Sequence, residues 1–130
     1  MDFEQIAKRY MDVYHDCTKE QIITLLNQYP GRVISNEHMV IMFVRIDHNT
    51  LMTIYDNPKV VADNDFIMNC YRQRGDYIYL LKGFGSARGY RDLIHRLRLY
   101  WHPESISYHI DKDNFSHARI LYERKSPCLS

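Results

Sequence analysis

The sequence is poor in the residues that mark stapled, fibrous or disordered proteins. Its three cysteines are widely spaced and form no C-x-x-C pair, so they predict neither a disulfide framework nor a zinc site. Only five glycines and four prolines occur among 130 residues, which excludes collagen-like and low-complexity classes. No apolar run is nearly as long as the about 18 residues that a membrane-spanning helix needs. The first residues also lack the pattern of a secretory leader. These absences predict one folded, cytoplasmic domain over residues 1–130, with no membrane partner.

The small net charge of +1 conceals an uneven distribution. Residues 72–98 carry seven lysines or arginines against two aspartates, whereas residues 1–71 are acidic overall. A local basic stretch in a nearly neutral chain favours an anionic partner bound at one place, such as a phosphate-bearing cofactor. A basic helix surface that faces only solvent explains the same pattern equally well.

Apolar spacing predicts that helices and strands alternate along the chain. Thr18 and Gln21 form a capping box at the start of the second helix. The apolar run Met39–Ile46 is typical of a strand covered on both faces. The full prediction is helices over residues 3–14, 18–29, 65–71, 90–101 and 116–124, and strands over residues 39–46, 51–55, 77–81 and 105–110.

This order, ααββαβαβα, predicts an α/β fold. Strands that alternate with helices favour a mixed, mostly antiparallel central sheet with helices packed on its faces. The strands over residues 39–46 and 51–55 are expected to form a hairpin, and residues 82–87 are expected to form a loop between a strand and a helix.

The segment Lys82–Ala87, with the sequence Lys-Gly-Phe-Gly-Ser-Ala, carries the clearest chemical signal. A glycine-rich turn into a helix leaves backbone N–H groups free at the positive end of the helix dipole, where phosphate binds. Gly83 and Gly85 permit positive φ and close approach of an anion. A lone G-x-G pair also suits any tight turn. The spacing fits neither a Walker A loop nor the dinucleotide fingerprint, which needs glycine where Arg88 stands.

These residues resemble the acyl-CoA loop of the GNAT N-acetyltransferase superfamily, whose pattern is Gln/Arg-x-x-Gly-x-Gly/Ala between a strand and a helix. Lys82 occupies the position of the usual Gln or Arg. The segment Asp113–Arg124, Asp-Asn-Phe-Ser-His-Ala-Arg-Ile-Leu-Tyr-Glu-Arg, is similar to a family segment in which Asn precedes a helix ending in Leu-Tyr-Glu-Lys. The expected order of elements also fits the GNAT fold.

The resemblance implies an enzyme that transfers an acyl group from acetyl-CoA, or another acyl-CoA, to an amine. The acceptor would be a small molecule or a protein lysine or N-terminus. Tyr122, near the end of the last expected helix, would be the general acid toward the departing thiolate. The residues implied to bind the cofactor are Lys82, Gly83, Phe84, Gly85, Ser86, Ala87, Arg88 and Asn114.

A general base must take the proton that the amine loses. Asp76, at the start of the third expected strand, is one candidate, and His95 and His109 are two others. The sequence does not choose among them. The seven histidines are scattered without H-x-x-x-H spacing on a clear helix, so no metal site is predicted.

Two other functions are compatible with these features. One is a non-catalytic interaction or structural protein of the same fold, such as a phage virion component. The expected protein partners are a second copy of this chain, forming a homodimer, or a phage protein assembly. The other is nucleic-acid binding by the arginine-rich helix from Arg88 to Arg98. Nucleic acid is disfavoured because Tyr90, Tyr100 and Trp101 lie on the apolar stripe of that helix and are expected in the core.

Overall fold

In the computed structural model, which describes residues 2–113 and 115–125, the chain forms five α-helices and five strands. The helices are α1 (Phe3–Met11), α2 (Lys19–Gln28), α3 (His48–Asp56), α4 (Asn64–Arg72) and α5 (Tyr90–Trp101). The strands are β1 (Val33–Ser35), β2 (Met39–Ile46), β3 (Tyr77–Gly85), β4 (Ser105–Lys112) and β5 (Phe115–Glu123).

The five strands lie in one sheet in the order in which they occur in the chain. The pairs β1–β2, β2–β3 and β4–β5 are antiparallel, whereas β3 and β4 are parallel. Helix α5 supplies the crossover that a parallel pair requires. The predicted α/β fold with a mixed, mostly antiparallel sheet is therefore confirmed.

Helices cover both faces of this sheet. Helices α1 to α4 pack against the even-numbered residues of β2 on one face. On the other face, α5 places Leu93 and Leu97 against Ile41 and Phe43. The apolar run of β2 is thus buried on both sides, as its sequence predicts. Within the described residues, no helix combines the length and apolarity needed to cross a membrane.

Helix α2 begins with the predicted capping box. Thr18 Oγ1 accepts a hydrogen bond from the Gln21 backbone N–H at 3.2 Å, and Gln21 Oε1 accepts one from the Thr18 backbone N–H at 2.8 Å. Two N–H groups that the first turn leaves unpaired are satisfied in this way.

The predicted strand over residues 51–55 is wrong, because these residues lie in α3. Asp47 caps this helix by accepting a hydrogen bond from the Thr50 backbone N–H at 2.7 Å. Leu51 and Ile54 are both buried against the sheet. Residues three apart share a face on a helix and not on a strand. Burial of both side chains therefore outweighs the β propensity of this Leu-Met-Thr-Ile-Tyr segment.

The predicted helix over residues 116–124 is also wrong, because this segment forms β5. It pairs with β4 from Phe115 opposite Lys112 to Glu123 opposite Ser105. Asp113 has φ 55°, a left-handed conformation suited to the hairpin turn. A connection this short brings the strands together at little cost in loop entropy, so the ladder outweighs the local helix propensity.

The predicted loop over residues 82–87 is wrong for most of its length. Strand β3 continues to Gly85, and its Lys82–Gly85 part pairs with Met39–Met42 of β2. The chain then turns at Ser86 and forms one 3-10 turn, Ala87–Gly89, before α5. The sequence does not predict the short strand β1.

Candidate functional site

Strands β3 and β4 pair over a short stretch and then separate. Their parallel ladder joins Tyr77–Tyr79 to Ser105–Ser107, although both strands continue beyond it. Leu81 has no partner in β2, which makes a β-bulge just where β3 leaves β4. Because a bulge bends its strand, it contributes to the separation. A cleft of about 290 Å³ opens between the two strands.

Side chains from both faces of the sheet line this cleft. Tyr90 and Tyr108 belong to the α5 side, whereas Tyr14, Lys82 and His109 lie on the side of α1 to α4. Aromatic walls with a few polar groups are typical of a site for a small organic molecule.

The edges of the separated strands also present backbone groups. Beyond Tyr79 and Ser107, the β3–β4 ladder ends within the described chain, so the facing N–H and C=O groups have no strand partner there. The Tyr14 hydroxyl donates a hydrogen bond to the Gly83 carbonyl at 3.2 Å. This carbonyl therefore already accepts a hydrogen bond from outside the sheet.

Lys82 lies in the cleft wall, but an acidic side chain already compensates its charge. Its Nζ is 2.5 Å from Asp16 Oδ2 and also donates to the Tyr10 hydroxyl, which in turn donates to Asp16 Oδ1 at 2.7 Å. The hydrogen bond from Lys82 is the main reason that the pKa of Asp16 lies below its usual value. Lys82 therefore ties the segment after α1 to β3.

The glycines of the 82–89 segment are in close contact with neighbouring backbone. Gly85 has φ 113°, and a Cβ atom there would lie 2.3 Å from the His38 carbonyl oxygen. A Cβ atom at Gly89 would lie 2.5 Å from Asn36 Oδ1. Packing against residues 36–38 therefore explains both glycines without an anion.

The turn into α5 nevertheless carries exposed cations. Its backbone N–H groups are already used, because Ser86 accepts hydrogen bonds from those of Arg88 and Gly89. Arg88 and Arg91 are exposed, and neither takes part in an ion pair within the described residues. Asp92 carries the opposite charge here, but its Oδ2 already has two partners. Arg96 Nη2 lies 2.9 Å from this oxygen, and Asn36 Nδ2 donates to it at 3.0 Å. The turn thus has charge available for an anionic group.

The predicted catalytic residues Asp76 and Tyr122 lie away from this cleft. Asp76 precedes β3, and at about 3.3 Å per residue it is roughly 25–30 Å from Gly85. Tyr122 lies in β5 opposite Ile106, at the paired end of β4, with the Arg98 guanidinium 4.3 Å from its ring centroid. The structure does not bring either residue to the Lys82–Arg88 segment. Asn114 lies outside the described residues.

Of the three candidate bases, His109 is the one in the cleft. His95 is exposed on α5. His109 Nδ1 is 2.8 Å from the Tyr79 hydroxyl oxygen, and the Tyr55 ring approaches the imidazole edge-on at 5.6 Å. Burial lowers the pKa of His109, against an opposing effect of Asp111, so the imidazole is neutral near pH 7.

The pairing of Tyr79 with His109 has no sequence signal. The two residues are separated by a turn and the whole of α5, so no spacing rule relates them. The parallel register places Tyr79 opposite Ser107, two residues before His109 and on the same face of β4. Only the strand register could have indicated this contact.

The expectation that Tyr100 lies in the core is wrong. Its side chain is 73% exposed, and its ring lies 4.6 Å from that of Trp101. Trp101 is half-buried, with the Arg45 guanidinium 3.8 Å from its ring centroid. Two arginines of α5 are engaged within the protein, Arg96 with Asp92 and Arg98 with a tyrosine ring.

Comparisons with known proteins provide no relative. No protein-family model matches this chain, and no curated protein or solved structure matches it. The GNAT resemblance therefore stays a prediction based on the sequence motifs. Within the described residues, no group of three His, Cys, Asp or Glu side chains is placed to hold a metal ion.

Proposed function

We propose that this chain is an acyl-CoA-dependent N-acyltransferase that binds acyl-CoA between the separated ends of β3 and β4. The observation that carries the proposal is that cleft together with the exposed Arg88 and Arg91 at the turn that follows β3 and leads into α5. The cleft has room for an extended chain, and the two arginines offer positive charge for phosphate.

The cleft suits the pantetheine arm of CoA. This arm is an extended chain with amide groups, and the separated strands offer backbone N–H and C=O groups along the cleft. Tyr90 and Tyr108 would cover its apolar parts. The arm would take the place of the missing ladder, with hydrogen bonds of the kind that strands make.

The turn suits the pyrophosphate of CoA. Arg88 and Arg91 would provide both the charge and the hydrogen-bond donors. Lys82 would act indirectly, because Asp16 already holds its ammonium group. The glycines would keep the turn close to residues 36–38 instead of forming a cradle for the phosphates.

The cleft passes between the two faces of the sheet, which separates the two substrates. CoA enters from the α5 side, and the thioester reaches the side where Tyr14 and His109 lie. The amine acceptor, a small molecule or a protein lysine or N-terminus, approaches from that side. Its nitrogen attacks the thioester carbonyl carbon in a complex of all three components, and CoA leaves as the thiol.

Calorimetric titration with CoA and acetyl-CoA, at low and physiological salt, tests this function. We expect micromolar binding that weakens with salt, because phosphate contacts carry part of it. Arg88→Ala should weaken binding about tenfold or more, the loss expected for a hydrogen bond to a charged group. Arg72→Ala, at the exposed end of α4, is the control and should bind CoA like the wild type.

The result that overturns the proposal is an absence of CoA binding, or equal weakening by both arginine variants. Absence of binding would favour a non-catalytic interaction protein. Gly85→Glu is not a suitable variant, because any Cβ at this position collides with the His38 carbonyl and disturbs the turn itself.

A further inference from the structure

Tyr79 is a buried tyrosine whose hydroxyl is bound to a histidine in the cleft. Its side chain is 4% exposed, and its hydroxyl is 2.8 Å from His109 Nδ1. Within the described chain, the hydroxyl has no other side-chain partner. If Nδ1 carried a proton, the phenol proton would be left buried without an acceptor, which is unfavourable. The phenol therefore donates to Nδ1.

This direction of donation determines the tautomer of the histidine. A neutral imidazole that accepts at Nδ1 carries its proton on Nε2. Burial raises the pKa of Tyr79 to about 12, so the phenol remains a donor, and burial lowers the pKa of His109. The groups that face the imidazole are Tyr55 from α3, Tyr79 from β3 and Asp111 from β4.

The Nε2–H group is available to a ligand in the cleft. His109 is half-buried and lines the cleft, and within the described residues Nε2 has no hydrogen-bond partner. A neutral N–H group held from the other ring nitrogen is a preorganised donor. It is not a base, because its only free nitrogen already carries the proton.

We propose that His109 Nε2–H hydrogen-bonds the carbonyl oxygen of the bound thioester, and that Tyr79 is the positioning residue that holds this tautomer. The inference rests on the proposed acyltransferase function. As the amine nitrogen bonds to the carbonyl carbon, negative charge builds on the oxygen and is stabilised by Nε2–H. The C–S bond then breaks with its electron pair on sulfur, and the amine proton ends on the thiol. His109 keeps its proton throughout.

Long-range ¹H–¹⁵N correlation spectra of the ¹⁵N-labelled full chain at pH 7 test the tautomer directly. The His109 signals are those lost in His109→Gln. We expect the Nε2–H tautomer in the wild type and a mixture of tautomers in Tyr79→Phe, which removes only the donating hydroxyl. A wild-type protein with the proton on Nδ1 would overturn the inference.

Addition of acetyl-CoA to the same sample tests the contact. We expect the His109 Nε2 signal to move, whereas the signals of exposed His95 stay in place. If calorimetry shows binding but the His109 signal does not move, this inference is wrong and the proposed function stands. If acetyl-CoA does not bind, both are wrong.

Turnover of acetyl-CoA with a mixture of primary alkylamines and lysine peptides separates a donor from a base. His109→Leu should lower kcat by about 10²- to 10³-fold, the usual effect of losing one such donor. His109→Gln keeps an N–H donor and should retain part of the rate, with a similar KM for acetyl-CoA. Equal loss in the two variants would indicate a proton acceptor and contradict the proposal.

Discussion

The two ends of the β3–β4 pair differ in what holds them. At the paired end, Ile78 lies opposite Ile106, and both are buried beneath α5. At the open end, Gly83 is exposed, His109 is half-buried, and the strands no longer pair. A rigid ladder beside an open slot keeps cleft groups at fixed positions, which a binding site requires. The comparison indicates that the paired end carries stability, whereas the open end has the room that the proposed site needs.

Truncation of a core side chain at the paired end should have the largest effect on the free energy of unfolding. Ile106 is 0% exposed, and Ile106→Ala should lower the free energy of unfolding by about 2–5 kcal/mol, because a cavity remains. Urea unfolding followed by circular dichroism measures the change. Ile110→Ala is the matched control on the same strand, where the side chain is half-buried and we expect under about 1 kcal/mol. Equal losses of stability in the two variants would contradict the difference between the paired end and the open end.

Gly85 tests whether the open end is shaped by packing. Gly85→Ala forces a side chain into a left-handed backbone and against the His38 carbonyl, so we expect a loss of about 1–3 kcal/mol in urea unfolding. At Gly31 a Cβ atom meets nothing within 4 Å. Gly31→Ala should therefore stay within about 0.5 kcal/mol of the wild type. A neutral Gly85→Ala would show that the turn is not held against residues 36–38.

Of these changes, removal of the Asp16–Lys82 ion pair should have the smallest effect on the free energy of unfolding. Both side chains are partly exposed, so Asp16→Asn should cost less than about 1 kcal/mol at pH 7. The pKa of Asp16 is lowered on folding, so its contribution is present above the ordinary value of 3.8 and is lost as pH falls through the lower folded value. The difference from the wild type should therefore be smaller at pH 3 than at pH 7.

Urea unfolding at both pH values measures this pair. Asp12→Asn is the control, since Asp12 is exposed and belongs to no ion pair in the described residues. A pH-independent loss in Asp16→Asn would assign the effect to the hydrogen bond with Tyr10 and not to the charge.

Sequence patterns predicted the elements whose periodicity agrees with their packing. Strand β2 occupies the predicted residues 39–46 because it is apolar on both of its buried faces, and α5 occupies the predicted residues 90–101 because one apolar face packs on the sheet. The same reasoning failed for α3 and β5. Their local composition favours the other state, and contacts distant in sequence decide the outcome: burial under the sheet for α3 and the ladder with β4 for β5.

The candidate site was predictable only in part. The turn at Ser86 and the exposed Arg88 lie at the expected place before α5, because glycine and charge mark such a turn locally. The engagement of Lys82 by Asp16 was not predictable, since the two residues are far apart in the chain. The same holds for Tyr79 and His109, which lie on different strands.

By itself, the sequence determined the class of the fold, the strand buried on both sides, the arginine-rich helix and the presence of a turn just before that helix. These depend on residues within a few positions of each other, where apolar period, capping and turn chemistry act. The tertiary structure decided that β3 and β4 separate after Tyr79, and that His109 meets Tyr79 beside the resulting cleft. Strand register and bulges set these contacts, and register is a property of the assembled sheet.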